Sequence, residues 1–452
     1  MASKAAGGAA GDAAAIDAPV GSRKERCALC VAFLLSETTQ DAFVAASALV
    51  AVELFDGWCE SLFIVLLAVM LFVGCHLSGV VGRRGWTSVL AAAAVAGAAG
   101  MACVALSLSA PRSAAAPLAV GGSMLLGAHR AAHMLYRFCA LELGGVACMG
   151  EMFAAATLGG LLGPQLLIVL GLEGGLIAGA AAQLVFGPIA VVLATRARDA
   201  ATAVERALPA AAMERESSLG DALAMLRGHA ATDPALRLAL VAGVVSWCVM
   251  LLITVPAAAI AVTSFGLSTP AAIRALQAHD FLMNAPGPMT ASLVGRLGAH
   301  AAIAAGLAIY VVCVVGLWAC GSSLLLYEDV EAGGKPARMV QYLLIGLVVV
   351  LALGWNLMWL ASTSALDAAA RAVGATSCAQ IAKVRTANEF LIYSFCVAFL
   401  LVSLVSRDRY KDVATTSAPF LVAVAVALFQ ARPSGRAYGA VRADDGPAAA
   451  LA

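Results

Sequence analysis

The sequence predicts an all-α polytopic membrane protein, and three observations predict it. Of its 452 residues 62% are hydrophobic and only 12% charged, and the mean hydropathy of +0.92 lies far outside the range of soluble domains. Apolar runs of about 20 residues, the length that crosses hydrocarbon as a helix, recur along the whole chain. Short breaks of charged residues, Gly and Pro separate them.

Read in order, the runs cover 27–55, 58–79, 86–109, 117–139, 143–170, 174–195, 235–264, 275–294, 300–327, 338–361, 383–406 and 411–431, twelve expected spans. The first holds the stretch "LLSETTQDAF", residues 34–43, in which neither apolar flank is long enough to cross alone. A carboxylate at the bilayer centre costs about 2.5–3.5 kcal/mol, against about 0.3–0.6 returned by each Leu, Val or Phe, so the span roughly cancels two carboxylates and no more. Glu37, Gln40, Asp41 and Ser47 recur at helical spacing and so share one face, which must look into the protein.

The segment 196–234, rich in both charge signs, divides the spans six and six and is expected to lay amphipathic helices along the cytoplasmic face. The organisation is then a disordered tail (1–26), a six-helix bundle (27–195), a connector (196–234), a second six-helix bundle (235–431) and a tail (432–452). The Ala/Gly-rich first tail has no apolar core and does not read as a secretory signal. With both termini in the cytoplasm, most of the 28 Lys and Arg fall on the cytoplasmic side, which is the orientation the positive-inside rule favours. The two halves echo each other: "VGRRG" (81–85) follows the second span and "VGRLG" (294–298) the eighth. Duplicated six-helix units with a site at their interface are a pattern of secondary transporters.

These features, with local motifs, resemble the major facilitator superfamily across nearly all spans. "CHLSGVVGRRG" (75–85) is similar to that family's G-x-L-S-D-R-x-G-R-R loop, keeping Arg83 and Arg84 but with Gly79 at the aspartate; the second copy keeps Arg296 and Gly298. Within the family the chain resembles a branch of bacterial permeases through "YRFCA" (136–140), "GLLGPQL" (160–166), "HDFLMNAPGPMTASLVGRLG" (279–298), "LGWNLMW" (353–359) and "ANEFLIY" (387–393). Gly150, Gly159, Gly163 and Pro164 match a fifth-helix antiporter pattern, although Leu167 and Ile168 replace its closing glycine pair. Small residues let helices approach closely, and packing alone also accounts for them.

The resemblance implies that helices one, four, seven and ten line a central cavity. Glu37 and Asp41 lead the candidates there: two carboxylates one turn apart in a low dielectric repel when both are ionised, so one holds a proton near neutrality, the state needed for coupling to a proton gradient. A buried pair neutralised by Arg130 would serve structure alone. On the fourth span Arg130, His133 and Arg137 lie near one face beside His129; Arg130 suits a carboxylate or an anionic cargo, His133 titrates in the useful range, and Arg137 reads as a gating or snorkelling group. Trp355 and Asn356 could contact cargo or pack locally. Glu151 joins the pathway candidates, and Asp280, Asn284, Asn388 and Glu389 are secondary ones.

Other chemistries find no motif. The twelve Cys are scattered through apolar spans and "CALC" (27–30) lacks a second ligand pair, so neither disulfides nor zinc are indicated. There is no phosphate loop, no basic aromatic patch for nucleic acid and no metal-spaced histidine cluster. The reading is a non-enzymatic, cofactor-free, monomeric secondary transporter in a lipid bilayer, taking a small-molecule substrate and protons. A second reading stands beside it: a transporter-like protein that acts as a trafficking partner or sensor.

Overall fold

The computed structural model describes residues 21–55, 61–206, 219–263, 267–322, 338–372, 378–405 and 410–431. Most of the first tail, residues 207–218 of the connector and the tail 432–452 therefore lie outside the described residues. Thirteen helices and no strand occur among them: α1 (Arg23–Leu54), α2 (Ser61–Arg84), α3 (Trp86–Ser109), α4 (Arg112–His133), α5 (Tyr136–Arg206), α6 (Leu219–Thr232), α7 (Pro234–Thr263), α8 (Thr269–Asn284), α9 (Gly287–Leu297), α10 (Ala299–Ser322), α11 (Arg338–Ala372), α12 (Cys378–Val405) and α13 (Tyr410–Gln430). Six helical stretches are long and apolar enough to cross a membrane, and three shorter apolar helices accompany them. This is an integral, multi-pass membrane protein.

Several boundaries differ from the expected ones for local reasons. α1 starts at Arg23 rather than 27, because Ser22 and Glu25 form a capping box: Ser22 Oγ accepts from the Glu25 amide and the Ser22 amide donates to Glu25 Oε2 at 2.6 Å. The fifth and sixth spans, with the end of the fourth, run together as α5, which is broken into three rods where Gly144, Gly145 (φ 64°) and Gly171 (φ 74°) leave helical geometry. The expected fourth and eighth spans are each interrupted, by the Met134–Leu135 turn and by Ala285–Pro286.

Packing separates the helices into those before residue 206 and those after 234. In the first group α1 and α3 lie on α5, and α4 on α2 and α3; in the second α11 packs on α7, α8 and α10, and α13 on α7 and α10. The groups meet chiefly where α2 lies against α12 and where α5 lies against α8 and α9. Both joints use glycine: Gly74 of α2 leaves room for the Tyr393 ring of α12, and a Cβ on Gly150 would come within 2.9 Å of the Gly287 carbonyl and one on Gly287 within 2.7 Å of the Gly150 carbonyl, so the α5–α9 backbones touch.

The distribution of polarity suits a bilayer. Phe72, Val169, Leu193, Val312 and Val422 are exposed on the outside, while Ser36, Glu37, Gln40, Arg137, Asn356 and Glu389 are buried. The repeated loop motif is also repeated in backbone: Gly85 (φ 83°, ψ 167°) ends α2 and Gly298 (φ 84°, ψ 161°) ends α9, each donating its amide back to a valine carbonyl, Val81 or Val294. Only glycine takes that left-handed conformation without strain, which is why both copies keep it.

Candidate functional site

The polar stretch of α1 is held against α4 and α5. Thr38 and Thr39 spend their hydroxyls on the carbonyls of Leu34 and Leu35, one turn back, and so need nothing from their surroundings. α5 then seats directly on this turn: a Cβ on Gly159 would fall 2.6 Å from the Leu34 carbonyl and 2.9 Å from Glu37 Cβ, and one on Gly163 would fall 2.6 Å from the Thr38 carbonyl. Gly159 and Gly163, with Pro164 next to them, thus bring α5 onto the helix turn that carries Glu37.

Glu37 is the centre of the arrangement. Its Oε2 lies 2.8 Å from His133 Nε2 and 3.6 Å from an Arg130 nitrogen. Behind it runs a buried chain: His133 Nδ1 is 2.7 Å from Ser36 Oγ, Ser36 Oγ is 3.0 Å from His129 Nε2, and His129 Nδ1 is 2.9 Å from the Ala93 carbonyl of α3. The carbonyl only accepts, so His129 Nδ1 carries the proton. With His129 neutral, its Nε2 accepts from the Ser36 hydroxyl; that single hydroxyl proton being spent, Ser36 Oγ accepts from His133 Nδ1–H. The only ring nitrogen left to choose is His133 Nε2. Glu37 Oε2 and His133 Nε2 stand 2.8 Å apart but make no well-aligned hydrogen bond; two lone pairs repel at that distance, so a proton on the ring or on the carboxyl would relieve the contact.

Around this pair lies a narrow cleft of about 20 Å³, room for a water, lined by groups from both sides of the molecule. Glu37, Arg130, His133, Arg137 and Phe33 come from α1, α4 and the start of α5; Trp247, Trp355, Trp359 and Asn284 come from α7, α11 and α8. The three indoles pack edge to face or stacked, with centroids 5.2–5.9 Å apart. Arg130 sits 5.5 Å over Trp247 and Arg137 3.8 Å over Trp359.

Of the residues singled out from sequence, the structure brings Glu37, Arg130, His133, Arg137, Asn284 and Trp355 together around the cleft. Asp41 and Asp280 do not line it but are electrostatic neighbours of Glu37 and Arg130, and Asp41 rests against Gly160. Gln40 is buried nearby on α1 with an amide nitrogen that meets no acceptor. Asn356 is engaged elsewhere: its amide donates to the Met283 carbonyl at the α8–α9 break at 2.6 Å, and its oxygen accepts from Thr290. It repairs an interrupted helix, which is what broken membrane helices require. Glu151 is exposed and lies away from the lining. Arg83, Arg84 and Arg296 are exposed on the last turns of α2 and α9.

Beside the cleft, ion pairs join the two helix groups. Arg137 pairs with Glu389, whose other neighbour is the Asn388 amide. Further out Arg385 reaches Glu142 at 2.7 Å and Asp367 at 3.3 Å, while Glu142 also takes Arg198 and the Trp86 indole N–H, each at 3.0 Å. Sequence reasoning missed Ser36, Trp247, Trp359, Glu142 and Arg385. A serine beside Glu37 and a lone tryptophan in the otherwise apolar seventh span were the available signals.

Comparison with solved structures decides the fold. A bacterial homologue of the iron transporter ferroportin in an outward-facing state aligns with a TM-score of 0.58 and 11% identity, over 90% of this chain and 98% of that one. The same kind of protein with soaked iron gives 0.59 and 13%, over the same shares. The chain shares the fold of these structures. No protein-family profile matches the sequence, and no curated protein matches it. Among the described residues, no group of three or more His, Cys, Asp and Glu is arranged to hold a metal ion.

Proposed function

We propose that the protein is a secondary transporter of the major facilitator type, working as a monomer and moving a small solute by alternating access with protons as the coupling ion. Twelve crossings in two six-helix bundles, with both termini in the cytoplasm, complete the reading. One observation carries it: the 2.8 Å approach of Glu37 Oε2 to His133 Nε2, a place for one proton at the wall of a cleft between the two helix groups. The groups facing Glu37 are Arg130 and His133 of α4, Asp41 of α1, and Asp280 and Asn284 of α8. Loss of that proton leaves a bare carboxylate beside Arg130, so the proton and a cargo in the cleft change the same electrostatic balance.

Alternating access needs the joined helix groups to part, which means separating Arg137 from Glu389 and Arg385 from Glu142. Each is a costly separation of buried charges unless the partners find water or each other again. The test is flux into proteoliposomes across a broad metabolite panel, with and without an imposed pH gradient. Iron belongs in that panel because the solved neighbours are homologues of an iron transporter. Gradient-driven uptake that disappears in Glu37→Gln supports the reading. No flux of any solute would favour the trafficking or sensor role instead.

A further inference from the structure

The buried chain behind Glu37 is one hydrogen short. Five groups stand in line, Glu37, His133, Ser36, His129 and the Ala93 carbonyl, with contacts of 2.8, 2.7, 3.0 and 2.9 Å between successive members. Both ends of the line, a carboxylate and a carbonyl, can only accept, and between them each neutral imidazole and the hydroxyl brings one hydrogen. Four contacts therefore share three hydrogens. With the rings neutral and Glu37 ionised, one contact always sets two lone pairs face to face.

Position decides which contact goes without. Shifting each hydrogen one place toward Glu37 would satisfy the carboxylate and leave His129 Nδ1 bare against the Ala93 carbonyl. That end is sealed: His129 is 1% exposed, and a Cβ on Gly97 would fall 2.8 Å from its Cγ, so α3 lies directly on the ring. The other end meets the cleft, which is lined by Glu37 and His133 but by neither Ser36 nor His129 and has room for a water. Arg130 stands there too, 3.6 Å from Glu37 and beyond hydrogen-bond reach, so it balances the carboxylate's charge without supplying the missing hydrogen. Glu37 Oε2 accordingly has no hydrogen-bond partner. Phe33, stacked on His133 with ring centroids 4.4 Å apart, holds that ring in place. The titratable and charged groups facing the line are Arg130 of α4, Asp41 of α1, Asp280 of α8, and Tyr136 and Arg137 of α5, while α3 brings the Ala93 carbonyl and Gly97.

We propose that Ser36 and His129 are positioning residues for a single-proton site: tied to the Ala93 carbonyl, they hold His133 as its Nδ1–H form and leave the Glu37–His133 contact to be closed by one added proton. That proton comes from solvent through the cleft, settles on His133 Nε2 or Glu37 Oε2, and raises the charge of the line by one with no other bond changed. The site deepens the transport reading above and rests on it for its role in flux, whereas the hydrogen bonding stands without it.

The experiment is nitrogen-15 NMR of the histidine rings across a pH titration, on the purified full-length protein labelled at histidine and held in zwitterionic nanodiscs. The six histidines are assigned through single variants, His133→Gln among them. A free neutral imidazole in water prefers the Nε2–H form, so the expected wild-type result, Nδ1–H on both neutral His129 and neutral His133, departs from the default. Ser36→Ala removes the link, and His133 should revert to Nε2–H, donating to Glu37 with no added proton. His129→Leu frees the Ser36 hydroxyl to donate to His133 Nδ1 and should produce the same reversal. Both variants should then lower gradient-driven flux about tenfold or more, the worth of one hydrogen bond to a charged group, while exchange at equal pH persists. Should either variant fail to fold, the wild-type spectrum and the other variant decide. Nε2–H on His133 in the wild type, Nδ1–H retained there in the variants, or full gradient-driven flux in variants whose tautomer has reversed overturns the proposal. Reversal in the variants with no gradient-driven flux in the wild type would keep the proton site and remove the transport reading; gradient-driven flux with unreversed tautomers would do the opposite.

Discussion

The two helix groups end their second and next-to-corresponding helices in the same way, at Gly85 and Gly298, yet they bring opposite chemistry to the cleft. The first group supplies the ionisable side chains Glu37, Arg130, His133 and Arg137; the second supplies the indoles of Trp247, Trp355 and Trp359 and the amide of Asn284. A turn that demands a left-handed backbone tolerates little beyond glycine, whereas a cavity wall tolerates any side chain that fits. The turns are thus where the two helix groups agree, and the walls are where they differ.

That contrast can be broken at several points. The largest effect is expected at the charged wall: Glu37→Gln keeps the shape but removes the ionisable carboxyl, and should reduce gradient-driven flux to background while solute exchange at equal pH persists. Gradient-driven flux equal to wild type would detach the charged wall from coupling. Next comes the seat beneath it. Gly163→Leu drives a side chain into the Thr38 and Ala42 backbone of α1 and should cost about 3 kcal/mol of stability, seen as a lower melting temperature in detergent.

On the other side, Asn356→Ala should cost about 1–3 kcal/mol by leaving the Met283 carbonyl unanswered, without changing gradient-driven flux; lost flux would move Asn356 from scaffold to wall. The two turns should respond alike but not equally. Alanine in a left-handed position costs about 1–2 kcal/mol, and at Gly85 the new methyl also meets the Asp199 carboxylate at 2.6 Å, which caps α3 through the Trp86 and Thr87 amides. Gly85→Ala should therefore melt below Gly298→Ala. Smallest of all is Glu151→Gln, an exposed change expected within about 0.5 kcal/mol and silent in flux.

The helical membrane fold was legible because apolar runs of bilayer length have few other uses, and the cost of Glu37 and Asp41 in such a run pointed inward before any coordinates. The paired glycine turns were visible as "VGRRG" and "VGRLG". What the sequence did not carry was distance between helices. Nothing in the spacing of His129 and His133 tells that Ser36 bridges them, and nothing in "GWN" separates Trp355, which faces the cleft, from Asn356, which serves a helix break. The end of the fourth span was likewise hidden, since no glycine or proline stands at the Met134–Leu135 turn.

Within the clasp formed by Arg137 with Glu389 and by Arg385 with Glu142, the Arg137–Glu389 pair is out of the reach of dissolved ions, while the Arg385–Glu142 pair is only partly buried. Saline screens charges over about 8 Å in water but hardly touches pairs sealed in protein. Salt should then leave the shut pairs unchanged and stabilise their charges only once they have separated, so raising it should tilt the equilibrium toward the open form.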